Sequence, residues 1–288
     1  HALYGGGKGT DTYLDSLWKM STHDHTHVFD SAAVVTSLTA GKVYGNTYVT
    51  VDSGYVVRNV YGGGNRASVG KANYADGVGG YYPGGYGETW DNNGTWPEDS
   101  KRYMDSLLAR TGNTYVYING GEIGTADGKK DDLPTGNVFG GSRGETAPDV
   151  PMTLSPRYLY CPEFYLGYVN HTHVTIGTEN ATTGPRLYGS VYGGGQDGHV
   201  RKHTNVVVNA GEIGNAYYSP DSAYRLVKTS DMNHYHWLAR GNVYGAGSGL
   251  GTYEAANGNA LYNYSSGSVT EHTSLDRKSG SAGMPRPI

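Results

Sequence analysis

A chain of 288 residues with 46 glycines, 27 tyrosines and only 3 phenylalanines is built from turns and polar rings, which excludes a thick apolar core. A net charge of −4, with 17% charged residues and no basic block, excludes the positive stripe of a nucleic-acid binder, and no apolar run approaches the length of a membrane span. The single cysteine, Cys161, excludes an intrachain disulfide and reads as a small buried apolar residue.

Along the chain, five related strings mark corners: Leu3-Tyr4-Gly5-Gly6-Gly7, Val60-Tyr61-Gly62-Gly63-Gly64, Val138-Phe139-Gly140-Gly141-Ser142, Val191-Tyr192-Gly193-Gly194-Gly195 and Val243-Tyr244-Gly245-Ala246-Gly247. Val43-Tyr44-Gly45 reads as a truncated copy, and Asn59, Asn137 and Asn242 each precede a corner. Between the first two corners, Asp11–Met20 is a candidate short helix, and His25-Thr-His-Val28 a strand with His25 and His27 outward. Thr47–Val51 then opens a series with the pattern T-x-V-x-[VI], repeated at Thr114–Ile118, Thr172–Ile176 and Thr204–Val208. Strict alternation of β-branched residues predicts half-buried strands. A glycine turn and a short strand follow, as Gly120-Gly-Glu-Ile-Gly124 and Ala210-Gly-Glu-Ile-Gly214, with Ser53-Gly-Tyr-Val-Val57 a weaker version.

Insertions of unequal length separate these units, at about 65–112, 145–170 and 215–240. The first holds a Gly/Tyr/Trp-rich loop, Tyr74 to Trp96, and a helical pattern over Glu98–Arg110 that Gly112 would stop. The second carries Pro148, Pro151, Pro156 and Pro162 and reads as irregular. The third would start a helix after Pro220. The absence of an initiator Met and the linker-like exit Gly283–Ile288 suggest a piece of a longer chain with adjoining domains.

Self-similarity at this scale predicts a repeat architecture, so we expect one all-β domain over 1–288, a parallel β-solenoid with loop and short-helix insertions between rungs. Corner glycines, Gly63 and Gly194 among them, are expected in conformations unfavourable for other residues. A β-sandwich or propeller is the alternative fold, and would show hairpin turns between antiparallel partners.

Alternation places Asn46, Tyr48 and Thr50 on an outward face with Asn113, Tyr115 and Tyr117, then His171, His173 and Thr175, then His203, Asn205 and Val207. We take Tyr48, Tyr115, Tyr117, His171 and His173 as the candidate ligand face, because planar and hydrogen-bonding side chains on a flat sheet suit a glycan or a surface protein. The structural alternative is that Tyr and Thr simply fit a pleated surface. His171 and His173 with His203, and the alternating His23, His25 and His27, have the nitrogens of a zinc site but no carboxylate placed beside them, so no metal and no cofactor is expected. No catalytic residue is expected either. Glu122 and Glu212 repeat with the fold, Asp131 and Asp132 read as solvated charges, and nucleophile-elbow, metalloprotease and phosphate-loop motifs are missing.

The corners Asn59–Gly64 and Asn242–Gly247, the T-x-V-x-[VI] strands and the Gly-Glu-Ile-Gly turns together resemble the glycine-rich β-solenoid repeats of large secreted bacterial surface proteins of the adhesin-like class. The resemblance covers most of the chain outside its insertions. It implies an extracellular or cell-surface, adhesin-like or structural module that binds glycan or protein partners. The alternative is a polysaccharide lyase or glycoside hydrolase on a β-helix scaffold. Asp15-Ser16-Leu17, Asp30-Ser31-Ala32, Asp105-Ser106-Leu107 and Asp221-Ser222-Ala223 look like the O-glycosylation acceptor motif of exported proteins in Bacteroidetes-type bacteria, where composition would give about one match. That resemblance implies glycosylation at Ser16, Ser31, Ser106 and Ser222, although Asp-Ser is also a common helix start. The Asn-x-Ser/Thr sites at Asn93, Asn170, Asn180 and Asn263 are discounted, since such residues abound in turns.

Overall fold

The computed structural model describes residues 1–9, 13–20, 27–35, 40–70, 110–126, 129–130, 133–144, 167–214, 226–228, 235–237, 241–249, 252–254, 260–262 and 267–277. It is all-β. The chain visits three parallel sheets in a fixed cycle, and each visit lays a new strand beside the one before it. The corner sheet consists of Leu3–Tyr4, Val60–Tyr61, Val138–Phe139, Val191–Tyr192 and Val243–Tyr244, in that order. The long-strand sheet runs Thr47–Val51, Asn113–Ile118, His171–Ile176, Thr204–Val208, Thr273–Arg277. The short-strand sheet runs Tyr55–Val56, Glu122–Ile123, Arg186–Leu187, Glu212–Ile213. One strand from each sheet makes a tier; among the described residues four such tiers follow one another in chain order, and a fifth consists of a corner strand and a long strand.

Register is in phase throughout. Thr47, Thr114, Thr172, Thr204 and Thr273 form one column, and Val49, Val116, Val174, Val206 and Leu275 form the next inward one. Val116, Ile118, Val174, Ile176 and Val206 are buried, with Val60, Val138 and Val191 of the corner sheet and Ile123 and Leu187 of the short strands. Full burial of such a side chain contributes about 1.5–3 kcal/mol, so a core one side chain deep is sustained by being renewed at every tier.

What fits the corner sheet against the long strands is a matched pair of residues. Gly62 has no side chain because a Cβ there would collide with the Gly140 carbonyl oxygen and with Val116. Gly5, Gly140 and Gly193 are closed in the same way by the next corner. Into this narrow gap each buried threonine sends its hydroxyl, which donates to the glycine carbonyl of the following tier: Thr47 to Gly62 and Thr114 to Gly140 at 2.6 Å, Thr172 to Gly193 and Thr204 to Gly245 at 2.5 Å. The asparagines before the corners form a second ladder. Asn59 Oδ1 accepts from the Asn137 amide at 3.0 Å, Asn137 Oδ1 from the Ser190 amide at 2.9 Å, and Ser190 Oγ from the Asn242 amide at 3.2 Å.

Gly63 and Gly194 depart from expectation. Neither has a positive φ; what excludes a side chain is the next tier, since a Cβ on Gly63 would collide with Ser142 and one on Gly194 would lie 2.5 Å from the Gly247 amide nitrogen. Left-handed backbone is found at other glycines, among them those at the turns into and out of the short strands, with φ of +79° at Gly121, +96° at Gly124, +116° at Gly211 and +100° at Gly214. Those positions favour glycine for conformation, the corners for proximity.

Val43-Tyr44-Gly45 is not a corner. Val43 bridges Val69 in parallel, and these two join a fourth ladder with Tyr168–Val169, His199–Val200 and Val269 around a second buried cluster of Val69, Val169 and Val200. Gly45 has open space where a Cβ would go, unlike every corner glycine. The fourth ladder also narrows the first two insertions, because residues 65–70 and 167–170 belong to tiers.

Three helix expectations fare differently. Tyr13–Met20 is a strand, paired antiparallel with His27–Val35. His27 therefore opens a hairpin strand rather than a member of the long-strand sheet, and His25 lies outside the described residues. In the third insertion Leu226–Lys228 pairs antiparallel with Tyr235–Trp237, so no helix runs through those residues, while the expected helix start after Pro220 lies outside the described residues. Eight residues with mixed spacing satisfy either period, and here a pairing partner decides. The helix expected over 98–110 lies outside the described residues except at Arg110, while Gly112 does turn, with φ +82°. Lys129–Lys130 with Leu133–Pro134, and Thr252–Glu254 with Ala260–Tyr262, are further hairpins. All four interrupt the cycle, the first and last in chain order between the corner strand and the long strand of one tier, the other two between tiers. Among the described residues no helix is long and apolar enough to cross a membrane.

Thr114→Val is close in shape and removes only the donor to Gly140. We expect it to lower unfolding free energy by about 1–3 kcal/mol, the cost of a buried acceptor left unsatisfied. Thr50→Val, outward on the same sheet, should change it by less than about 0.5 kcal/mol. Equal denaturation midpoints for the two variants would refute the role given to the hydroxyl.

Candidate functional site

The outward face of the long-strand sheet is a grid whose columns cross the tiers. Asn113 and His171 are partners in the first column, which His203 and His272 extend on the residues preceding Thr204 and Thr273. Tyr48, Tyr115, His173, Asn205 and Ser274 form the second, and Thr50, Tyr117, Thr175, Val207 and Asp276 the third. The structure thus brings all five candidate residues, Tyr48, Tyr115, Tyr117, His171 and His173, onto one sheet face.

Their rings, however, are turned toward one another. Tyr48 and Tyr115 stack with centroids 4.8 Å apart and planes 5° off parallel, and Tyr115 stacks on His173 at 4.8 Å and 7°. Tyr115 is therefore covered on both faces. Tyr48, in the first tier and 67% exposed, keeps one face open. Stacking of a flat ligand on this column, the mode expected from sequence, is limited to Tyr48. The rest of the column offers ring edges, hydroxyls and nitrogens at a repeat set by the tier spacing.

The first column is a run of imidazoles. His171 and His203 lie 5.2 Å apart and tilted, His203 and His272 5.3 Å apart and stacked. His203 Nε2 is 3.2 Å from Glu271 Oε2, and the same carboxylate accepts from Lys202 Nζ at 2.6 Å. Burial of the His171 ring lowers its pKa, and the neighbouring His203 and His173 lower it further. Burial also lowers the pKa of His173. The Lys202 hydrogen bond holds Glu271 below the usual carboxylate range. Among the described residues no group of three or more His, Cys, Asp or Glu is disposed to hold a metal ion.

Glu122 and Glu212 occupy equivalent positions with Arg186 between them, and Arg186 pairs with Glu212. In-register stacking would otherwise set carboxylate on carboxylate. The repeated glutamates are thus part of a charge-alternating column.

Sequence reasoning missed the last strand and with it His272, Glu271, Ser274 and Asp276. A signal existed: His171-Thr172 and His203-Thr204 recur as His272-Thr273, two residues before Leu275 at the Val position. Of the proposed modification sites, Ser31 pairs with Leu17 and Ser16 with Ala32, so two Asp-Ser motifs lie side by side in one hairpin, where the register shifts between Leu17 and Trp18. Ser106 and Ser222 lie outside the described residues. Asn170 is buried, and its amide donates to the Thr111 carbonyl at 2.6 Å, a role that leaves no room for a sugar.

No family model matches the chain, and comparison with curated proteins and with solved structures likewise gives no match.

The lowered histidine pKa values carry a sign. Below the ordinary value of 6.5 the unfolded chain binds protons that folded His171 and His173 refuse, so stability falls as pH drops through 6.5 toward the folded values. Thermal melting at a series of pH values between about 7.5 and 5 should show this decline, and a His171→Gln, His173→Gln double variant should flatten it. An unchanged slope in the double variant would assign the decline to other groups.

Proposed function

We propose that the tiers continue as a parallel β-solenoid, and that the chain is a non-catalytic, extracellular or cell-surface module that binds a glycan or another surface protein through the outward face of its long strands. The fixed cycle through three in-phase parallel sheets supports the architecture. The observation that carries the functional reading is the grid itself. Tyr, His, Asn and Thr repeat tier after tier without a dense charge, and the groups that face outward are hydrogen-bonding edges.

A polymer whose own repeat presents hydroxyls is the matching chemistry. Each contact is weak alone, but successive contacts along one extended ligand act at high effective concentration. Because the faces of Tyr115 are occupied by Tyr48 and His173, recognition runs through the Tyr115 and Tyr117 hydroxyls and the edge of His173, with Tyr48 the one stacking platform at the first tier. Glycan-array and pull-down measurements on the parent, a Tyr115→Ala, Tyr117→Ala variant and a Tyr115→Phe, Tyr117→Phe variant test this. Both variants should bind more weakly, by about fivefold for each hydroxyl hydrogen bond lost (about 1 kcal/mol). Undiminished binding by both would move the site off this face, and cleavage of a polysaccharide by the parent would replace the reading with an enzymatic one.

The resemblance of the Asp-Ser motifs to bacterial O-glycosylation acceptors supports a second element of the proposal: hexose-type modification at Ser16, Ser31, Ser106 or Ser222 in the native host. The pairing of two motifs in one hairpin outside the tiers fits a modification that leaves stacking untouched. Intact-mass analysis of native material should exceed the bare polypeptide by whole sugar residues. A mass equal to the polypeptide would exclude it.

A further inference from the structure

Four of the chain's 11 histidines, His171, His173, His203 and His272, lie in or just ahead of three consecutive long strands. The strand of His171 and His173, and the strand that His203 leads into, each have a described strand on either side. His203 is 45% exposed, and His171 and His173 are half-buried. His171 and His203 are 5.2 Å apart, His203 and His272 5.3 Å, and His173 stacks on Tyr115. The first two tiers hold no imidazole in these columns, where Asn46, Tyr48, Asn113 and Tyr115 stand instead. The outward grid is thus a tyrosine half followed by a histidine half.

The histidine half breaks a rule that the short-strand sheet obeys. There, Arg186 is interleaved between Glu122 and Glu212. In the histidine column ring follows ring, with no residue of opposite charge between. Neutral rings stack without electrostatic cost, but imidazole is the side chain that gains a proton just below neutral pH. A proton on one ring then opposes a proton on the next. The charged groups that face these rings are Lys202 and Glu271, with the phenols of Tyr115 and Tyr117 beside them. Glu271 is shared between Lys202 Nζ at 2.6 Å and His203 Nε2 at 3.2 Å. On the last strand Asp276 and Arg277 offset one another. The patch therefore holds no excess charge while its imidazoles are neutral, and each proton added makes it more positive.

Resting on the reading of this face as a glycan-binding surface, we propose that its histidine half is a subsite for an acidic polysaccharide, whose carboxylates the imidazoles bind in their protonated form. The neighbouring tyrosine and threonine columns take hydroxyl partners, which a polysaccharide carries along its whole length and an acidic peptide does not. Hydrogen bonds from imidazolium to carboxylate are roughly twice as strong as neutral ones. An anion laid along the column offsets the repulsion between protonated rings, as Arg186 does between the glutamates.

Linkage makes the effect reciprocal. A ligand that prefers protonated rings raises their proton affinity, so binding takes up protons and tightens as pH falls. Two of the rings show what the ligand works against: burial lowers the pKa of His171, with His203 and His173 lowering it further, and burial lowers that of His173. Glu271, held low by its hydrogen bond from Lys202, stays ionised through the same range and does not supply the change.

Titration calorimetry with polygalacturonate and with its methyl ester, at about pH 7.5 and about pH 5.5 in buffers of different ionisation enthalpy, tests the inference. The two probes share a backbone and differ in charge, and carboxylates remain ionised at the lower pH. The acid form should bind at least about tenfold more tightly at the lower pH, with net uptake of about one proton or more per site. The ester should show no such tightening. A His203→Gln, His272→Gln variant, shown to be folded by circular dichroism and melting, should lose most of the increment. The comparison of the two probes on the parent stands without any variant. Equal affinity of the acid form at both pH values overturns the inference, as does an ester that tightens equally or a folded variant that keeps the whole increment. Polyglutamate bound as tightly as polygalacturonate would replace the polysaccharide with an acidic protein partner. Failure of both polygalacturonate probes at both pH values also overturns the subsite, while the glycan reading itself stands or falls on the Tyr115 and Tyr117 variants against the array.

Discussion

The threonine hydroxyl and the glycine carbonyl one tier on are the contact from which the rest of this architecture follows. A sheet of two-residue strands has little to hold it, and it can approach the long strands closely only where it has no side chain. Glycine removes the side chain but leaves a carbonyl in a space with no water, and a buried acceptor without a donor costs about 1–3 kcal/mol. Threonine supplies the donor at 2.5–2.6 Å while its methyl group completes the apolar wall. A larger residue at either position separates the sheets, and an apolar one leaves the carbonyl unsatisfied. The pair is therefore renewed at every tier, and the regular spacing of everything outside it is inherited from this contact.

In-phase stacking then governs the surface. Each residue meets its own equivalent above and below, so side chains that gain from self-stacking persist and those that repel alternate or are replaced. Rings form columns in the corner sheet, Tyr4, Tyr61, Phe139, Tyr192 and Tyr244, with centroids 4.8 to 5.0 Å apart. Asparagine side chains bridge from one tier to the next amide. Glutamates are separated by Arg186, and Glu271 sits against Lys202 and His203. The outward grid is a product of the same rule: planar and polar groups of no net charge are what a repeating column tolerates. Its chemistry, edges and hydroxyls presented at a fixed interval, is set by packing.

Much of this was legible in the residues. The T-x-V-x-[VI] strands lie in phase with Thr and Val inward, the five corners pair in one sheet, and the Gly-Glu-Ile-Gly turns carry the left-handed glycines. All five outward residues chosen from alternation share the face. What alternation misjudged was of another kind. Val43-Tyr44-Gly45 looks like a corner over three residues, yet the crowding that makes a corner glycine obligatory is absent at Gly45. Tyr13–Met20 has spacing that serves a helix as well as a strand, and only its partner His27–Val35 decides. The strand Thr273–Arg277 departs from the pattern at Leu275 and Arg277, so its membership rests on where it pairs.

The amino-acid sequence by itself determined the repeat, the inward and outward sets and the identity of the paired Thr and Gly, because these depend on period-two geometry and on which side chains fit a narrow gap. Tertiary structure alone decided which way each ring turns. Alternation places Tyr115 outward but says nothing of its faces, and it is the tier spacing, close to the centroid separation of two stacked rings, that covers them with Tyr48 and His173. It likewise decided that Gly63 is glycine for want of room rather than for its φ, since the atoms that crowd it belong to Ser142, 79 residues further along the chain and one tier away in space.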